Sequence, residues 1–161
     1  IVATHGGIKE FKILTNMYKK ETLHEEKNRI DGALGDFKDN KVLCETTHFV
    51  LSEDVRTQDT IGILSSVGIN PLGRNIWFKC LTYNWKMLVS RYGEGGLSLG
   101  RAVQAISSSA EEKHLKIFKE FFRKHEAPGA KRSIEQVLER LESNIIWLKR
   151  DKKIIEKFLK S

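Results

Sequence analysis

The spacing of apolar residues near the C-terminus is the feature that most constrains how this chain can fold. Apolar side chains recur there at helical intervals, at Ile134, Val137, Leu138, Leu141, Ile145 and Leu148. This spacing places them on one stripe of an α-helix and leaves the charged residues between them outside it. Because such a stripe has to be buried against other helices, the sequence predicts a packed helical protein.

The rest of the chain extends this prediction to an all-α fold. No segment alternates apolar and polar residues over five or more positions, as a half-buried strand does, and the only prolines, Pro71 and Pro128, stand at predicted helix starts or turns. Short connections imply antiparallel helical hairpins of about 30 to 40 residues, stacked as an α-α superhelix of the HEAT or armadillo type. We expect helices at residues 7–21, 23–35, 38–52, 57–68, 71–91, 97–107, 110–125, 131–150 and 152–160.

Several predicted helix starts carry residues that can satisfy the free amide groups of a first turn. A Ser or Thr followed three residues later by Glu or Gln can form a capping box, and Asn before Pro can act as an N-cap. Between Gly93 and Gly96 we expect a flexible loop joining two helices. The predicted caps are Thr22 with Glu25, Ser109 with Glu112, Ser133 with Gln136, and Asn70 before Pro71.

Length, composition and charge restrict the class of protein. The 161 residues suit one domain, and no apolar run approaches the roughly 20 residues that span a bilayer, so no membrane partner is predicted. The net charge of +7 raises nucleic acid as a partner, but basic and acidic residues alternate at helical spacing, which indicates exposed helix faces with internal ion pairs. Cys44 and Cys80 lack CxxC spacing, which predicts two buried free thiols and a reducing, cytoplasmic compartment.

The candidates for chemistry lead to a prediction of no catalytic residue, no metal site and no cofactor in this chain. The sequence from His24 to Asn28, HEEKN, differs from the zinc motif HExxH at its last position, and the predicted cap with Thr22 accounts for Glu25 without a metal. We expect the other histidines at the surface or at helix ends, and the three tryptophans in the core. These residues are His5, His48, His114, His125, Trp77, Trp85 and Trp147.

Four segments, in this order and spacing, resemble the C-terminal domain of the family that includes aminopeptidase N, puromycin-sensitive aminopeptidase and the tricorn-interacting factors. None of them is a catalytic signature, and together they cover residues 55–151. They are VRTQDT at 55–60; NPLGR at 70–74 with Trp77, NW at 84–85 and RYG at 91–93; LGR at 99–101; and FF at 121–122 through HEAPGA at 125–130 to NIIWLKRD at 144–151.

The resemblance implies that residues 1–161 are a single C-terminal helical domain, and that a zinc-dependent catalytic domain carrying HExxH belongs to the same polypeptide outside this chain. In that family the helical domain encloses the active-site cleft and limits which peptides enter. By resemblance, basic residues of its concave face attract the peptide carboxylate. The implied partners are therefore that catalytic domain and peptide substrates.

The residues chosen for substrate contact are Arg56, Gln58 and Asp59 at one helix start, and Arg101 after the glycine loop. Their alternative is structural, because Asp59 suits a helix N-terminus and Arg56 and Arg101 can bridge helices through carboxylates. Two other functions also stay open for the whole chain. One is a free-standing helical-repeat module that binds a protein, and the other is a basic helical domain that binds nucleic acid.

Overall fold

The computed structural model describes residues 1–93 and 97–160, and these residues form ten α-helices and one 3-10 turn without a strand. The predicted all-α fold is confirmed, whereas the HEAT-type repeat stays a prediction. The helices are α1 Val2–His5, α2 Ile8–Lys20, α3 His24–Leu34, α4 Asn40–Val50, α5 Thr57–Ile69, α6 Arg74–Tyr83, α7 Trp85–Tyr92, α8 Leu97–Gln104, α9 Glu112–Lys124 and α10 Lys131–Leu159, with the 3-10 turn at Pro128–Ala130.

Helix α5 lies at the centre of the stack. It packs against α3, α4, α6 and α8, and α8 in turn packs against α10. Its side chains at Ile61, Ile63, Leu64 and Val67 are buried, so apolar residues cover more than one face of the helix. A helix that is apolar on several faces has to be enclosed by its neighbours, and this gives the chain its solenoid-like order.

Aromatic side chains fill the space between α6, α7 and α9. Trp77 and Trp85 are buried, as predicted, and the Trp85 ring meets the Phe122 ring edge to face with 5.0 Å between centroids. The prediction for Trp147 is wrong, because half of this side chain is exposed. Within α10, which the structure describes throughout, no residue after Ile145 is buried.

Two helix boundaries differ from the prediction. The expected helix at 71–91 begins only at Arg74 and is divided at Asn84, whose side-chain amide donates to the Cys80 carbonyl at 2.8 Å and so competes for the helix bond. The expected helices at 131–150 and 152–160 are one helix of 29 residues, since neither Gly nor Pro interrupts the sequence between them. The predicted glycine loop lies outside the described residues, apart from Gly93.

The predicted capping boxes are wrong. At α3 the Glu21 carboxylate accepts from the backbone amides of Thr22 and Leu23, at 2.7 and 2.8 Å, so it takes the place expected for Thr22 and Glu25. Ser133 lies inside α10, which begins two residues earlier at Lys131. Ser109 does accept from a backbone amide, but from Glu111 at 3.2 Å, and α9 begins at Glu112.

Asn70 also differs from its predicted role as an N-cap. It follows the last residue of α5, and its side-chain oxygen accepts from the Leu72 amide at 3.0 Å to close a turn. Its side-chain nitrogen donates to the carbonyls of Gly35 and Phe37, both at 2.8 Å. One side chain therefore ties the end of α5 to the loop after α3, a long-range contact that local spacing does not predict.

Close helix packing at Gly68 gives a stability prediction with a control on the same helix. A methyl group at Gly68 would lie 2.7 Å from Ala105 Cβ and 2.8 Å from the Trp77 ring, whereas at Gly62 it meets no described atom within 4 Å. We expect Gly68→Ala to lower the free energy of unfolding by about 1–3 kcal/mol through overpacking. Gly62→Ala should raise it by about 0.5–1 kcal/mol, and urea unfolding of both variants measures the difference. Equal effects of the two changes would contradict this packing.

Candidate functional site

A polar groove runs between α5 and α8 and encloses a volume of about 500 Å³. Gln58 and Arg101, two of the four residues predicted for substrate contact, line it from opposite helices. Ile61 and Ala105 contribute apolar surface, and Gln104 stands at its edge. The groove can therefore accept an elongated ligand that offers both apolar and hydrogen-bonding groups, with the Arg101 guanidinium as a positive charge.

The groove continues past Gln104 and Ser107 into a second hollow of about 650 Å³ formed with α10. This hollow is more polar, and Arg140 and Asn144 line it together with Glu139. The two hollows share Gln104 and Ser107, so they adjoin one another between Gln58 and Asn144. Sequence reasoning placed Arg140 only on the wet face of its helix and did not connect it with Arg101.

The serine segment 107–109 lies where the two hollows adjoin, with Ser107 lining both, and two side chains fix it. Asn144 donates through its side-chain nitrogen to the carbonyls of Ser107 and Ser109, at 2.8 and 3.0 Å. Arg74 donates through Nη2 to the Ser108 hydroxyl at 2.9 Å. A segment with this many bonds is preorganised, so a ligand does not have to order it on binding.

His114 makes a further contact with the serine segment 107–109. Its Nδ1 lies 2.7 Å from the Ser109 hydroxyl and its Nε2 lies 3.1 Å from Asn75 Oδ1, an arrangement that suits a neutral ring with the proton on Nε2. The side chain is buried, so a surface position is wrong, whereas its place in the first turn of α9 agrees with the predicted helix end. Burial lowers the pKa of His114 and keeps the ring neutral.

Arg56 and Asp59 meet outside the groove. Arg56 Nε donates to Asp59 Oδ2 at 2.7 Å, and the Tyr18 hydroxyl donates to the same oxygen at 2.5 Å. Burial and this bond to Asp59 raise the pKa of Tyr18 to about 12. Two donors, Arg56 at the start of α5 and Tyr18 on α2, therefore occupy the Asp59 carboxylate, and the Tyr18 bond joins the two helices.

His24 links this ion pair to the groove. Its ring nitrogens lie 3.0 and 3.2 Å from Arg56 Nη1, and its Nδ1 lies 3.5 Å from the side-chain nitrogen of Gln58. The first histidine of the incomplete HExxH pattern thus contacts α5. Among the described residues no group of three or more His, Cys, Asp or Glu side chains is placed to hold a metal ion.

A second carboxyl group, Asp31, lies close enough to the Arg56–Asp59 ion pair to be affected by its charges. It is buried, and no described atom forms a hydrogen bond with its Oδ1. Burial, and then the negative charge of Asp59, raise the pKa of Asp31 to about 7. Lys27, also buried, places its Nζ 4.2 Å from the Tyr18 ring centroid and partly offsets the charge. The sequence did not reveal Asp31 or Lys27 as buried, because a charged residue on a helix is normally expected at the surface.

The fold and the groove describe a helical domain with a preorganised polar cleft. A family model for the ERAP1-like C-terminal domain matches residues 1–143, and the chain belongs to this family. Similar proteins include aminopeptidase M1 of Arabidopsis thaliana, 31% identical over 89% of this chain, and human aminopeptidase N, 28% identical over 93%. Bovine glutamyl aminopeptidase is 29% identical over 93%.

The chain spans 16% of the length of each of these relatives. Its family corresponds to the C-terminal part of aminopeptidases, in agreement with a non-catalytic domain of such an enzyme. In residues 1–93 and 97–160, no helix is both long and apolar enough to cross a membrane.

The raised pKa of Asp31 predicts a pH-dependent stability. Because the folded pKa of about 7 exceeds the ordinary value of 3.8, ionisation of Asp31 opposes folding. The cost is absent below about pH 4, grows as the pH rises and is complete above about pH 7. We therefore expect Asp31→Asn to gain roughly 2–4 kcal/mol of stability relative to the parent chain between pH 4 and 8.

Urea unfolding across this pH range measures the difference between the two chains. Asp36→Asn is the control, since it makes the same change of charge at an exposed carboxylate close by on the chain. If the stability of Asp31→Asn runs parallel to that of the parent chain at every pH, Asp31 does not ionise in a buried site.

Proposed function

We propose that this chain is the substrate-enclosing, non-catalytic domain of a zinc-dependent aminopeptidase that removes N-terminal residues from peptides. The two adjoining hollows, one lined by Gln58 and Arg101 and the other by Arg140, are the observation that carries the proposal. Peptides are extended, carry hydrogen-bonding groups along their length and end in a carboxylate. A groove that offers polar side chains, apolar surface and two guanidinium groups complements each of these properties.

The charges of the groove determine which end of a peptide it attracts. Arg101 and Arg140 stand on different helices at positions along one path, with Glu139 as the acidic residue of the second hollow. Guanidinium groups bind carboxylates in two-point geometry and act at longer range through the net charge of +7. We infer that the groove takes the C-terminal part of the peptide and leaves its free amine for the catalytic domain.

The proposed partner is that catalytic domain, on the same polypeptide, with one zinc ion held by HExxH and a more distant glutamate. The similarity of this chain to only 16% of each aminopeptidase relative supports a much larger parent protein. The cytoplasm remains the proposed compartment, on the ground that both cysteines are free thiols.

Peptide binding tests the groove directly. We expect a short peptide with a free C-terminal carboxylate to shift the NMR signals of Gln58, Gln104 and Arg101, and the same peptide with an amidated C-terminus to bind more weakly. Arg101→Gln should raise Kd about five- to tenfold, equivalent to about 1–1.4 kcal/mol.

Arg91→Gln is the matched control, because it removes the same charge from an exposed position on α7 that does not line the groove. Equal losses of affinity in the two variants would show that net charge, and not the groove, binds the peptide. Signals that shift only on the distal part of α10 would favour the free-standing interaction module.

Zinc content and hydrolysis test the division of labour. We expect the purified chain to fold, to contain no stoichiometric zinc after dialysis against zinc, and to leave aminoacyl reporter substrates intact. Elemental analysis and a fluorescent release assay measure both. Zinc-dependent turnover by this chain alone would contradict the proposed non-catalytic role, and an upstream reading frame without HExxH would contradict the proposed parent enzyme.

A further inference from the structure

Cys44 and Cys80 lie on two neighbouring helices and line one cleft. The cleft is about 860 Å³ in volume and runs between α4, which carries Cys44, and α6, which carries Cys80. Leu51 and Ile76 give it apolar walls. Cys44 is exposed, so its predicted burial is wrong, and Cys80 is half-buried. This cleft is separate from the peptide groove, since the two share no lining residue.

Thr47 and Asn84 line the cleft together with the two cysteines. The Thr47 hydroxyl donates to the Cys44 carbonyl at 2.8 Å. Cys44 is also among the groups that raise the pKa of Cys80, which indicates that the two thiols are neighbours in the cleft. The side-chain nitrogen of Asn84 lies 3.9 Å from the Cys80 sulfur.

We propose that Cys44 and Cys80 are a reversible disulfide site, at which a low-molecular-weight disulfide such as oxidised glutathione joins α4 to α6. An exposed free cysteine that shares a cleft with a second cysteine is uncommon, because free cysteine is normally among the most buried residues. A disulfide with Cys80 would explain the exposed position of Cys44, which packing does not explain.

The reaction proceeds by two thiol–disulfide exchanges. The Cys44 thiol loses its proton to solvent or to His48, which stands one turn further along α4 in the same cleft, and the thiolate attacks one sulfur of the small disulfide. A mixed disulfide forms and one small thiolate leaves. The Cys80 thiolate then attacks the Cys44 sulfur and releases the second small thiol. Two protein thiols are oxidised and one small disulfide is reduced to two thiols.

Burial sets the order and the speed of these steps. It raises the pKa of Cys80 to about 11, so this thiol is protonated at neutral pH and the exposed Cys44 reacts first. Closure of the ring then waits for the Cys80 thiolate. The mixed disulfide on Cys44 should therefore accumulate transiently, and the rate of closure should rise about tenfold per pH unit between pH 7 and 9.

The test follows the reduced, purified chain with oxidised glutathione under native conditions. Samples are quenched with acid, alkylated and examined by intact mass and peptide mapping. We expect a monomer that has lost two hydrogens, cannot be alkylated and yields a peptide linking Cys44 to Cys80. The same reaction in concentrated urea, where the helices are unfolded, measures how much the folded structure contributes to closure.

Two variants separate the steps. Cys80→Ser should stop at a stable glutathione adduct on Cys44, and Cys44→Ser should leave the folded chain unmodified under conditions that modify Cys80 in urea. Circular dichroism confirms that each variant is folded. The proposal is overturned if the folded chain keeps the glutathione adduct without closing, if it closes no faster than the unfolded chain, or if it forms only intermolecular disulfides. None of these results depends on the peptide groove.

Discussion

Enclosure of α5 is the constraint on which the rest of the structure depends. This helix contacts α3, α4, α6 and α8, and its side chains at Ile61, Ile63, Leu64 and Val67 are buried among them. Gly68 lets the Trp77 ring and Ala105 approach its backbone more closely than any larger residue allows. Both ends of α5 also carry polar contacts, with Arg56 and Asp59 at the start and Asn70 at the end. The groove and the thiol cleft each include helices that pack against it.

The same arrangement explains why Gln58 and Asp59, adjacent in sequence, have different environments. Gln58 lines the groove, whereas Asp59 turns inward to Tyr18 and Arg56. Adjacent residues of a helix point about 100° apart, which is enough to separate the groove surface from the buried polar network. Asp31 adds a second carboxyl group to that network, and its proton is coupled through Asp59 to the helix that carries Gln58. The protonation of Asp31 and the position of Gln58 are therefore linked through the start of α5.

The sequence pattern predicted the structural features that depend on residues close together along the chain. The all-α fold, most helices and the burial of Trp77 and Trp85 followed from periodicity and short connections. The capping-box predictions were wrong because other acceptors compete for the same backbone amides. At α3, for example, Glu21 accepts from the Thr22 amide. Asn84 divided one predicted helix through a side-chain bond that composition does not reveal. Gln58 and Arg101 reached the same groove, yet Arg140, His114 and Asp31 needed the tertiary structure, since their surroundings come from distant segments.

Helix α10 has the shape of a long arm that is packed along its first half. Its first half is held by α8 and α9, and the segment from Ile146 to Leu159, which includes no buried residue, extends the axis by about 20 Å. A tilt of about 10° at the anchored half would displace the far end by roughly 4 Å on this geometry. Arg140 and Asn144, which shape the second hollow, lie on the anchored side of that pivot. Tilting α10 as a rigid rod from its far end would therefore also displace Arg140 and Asn144.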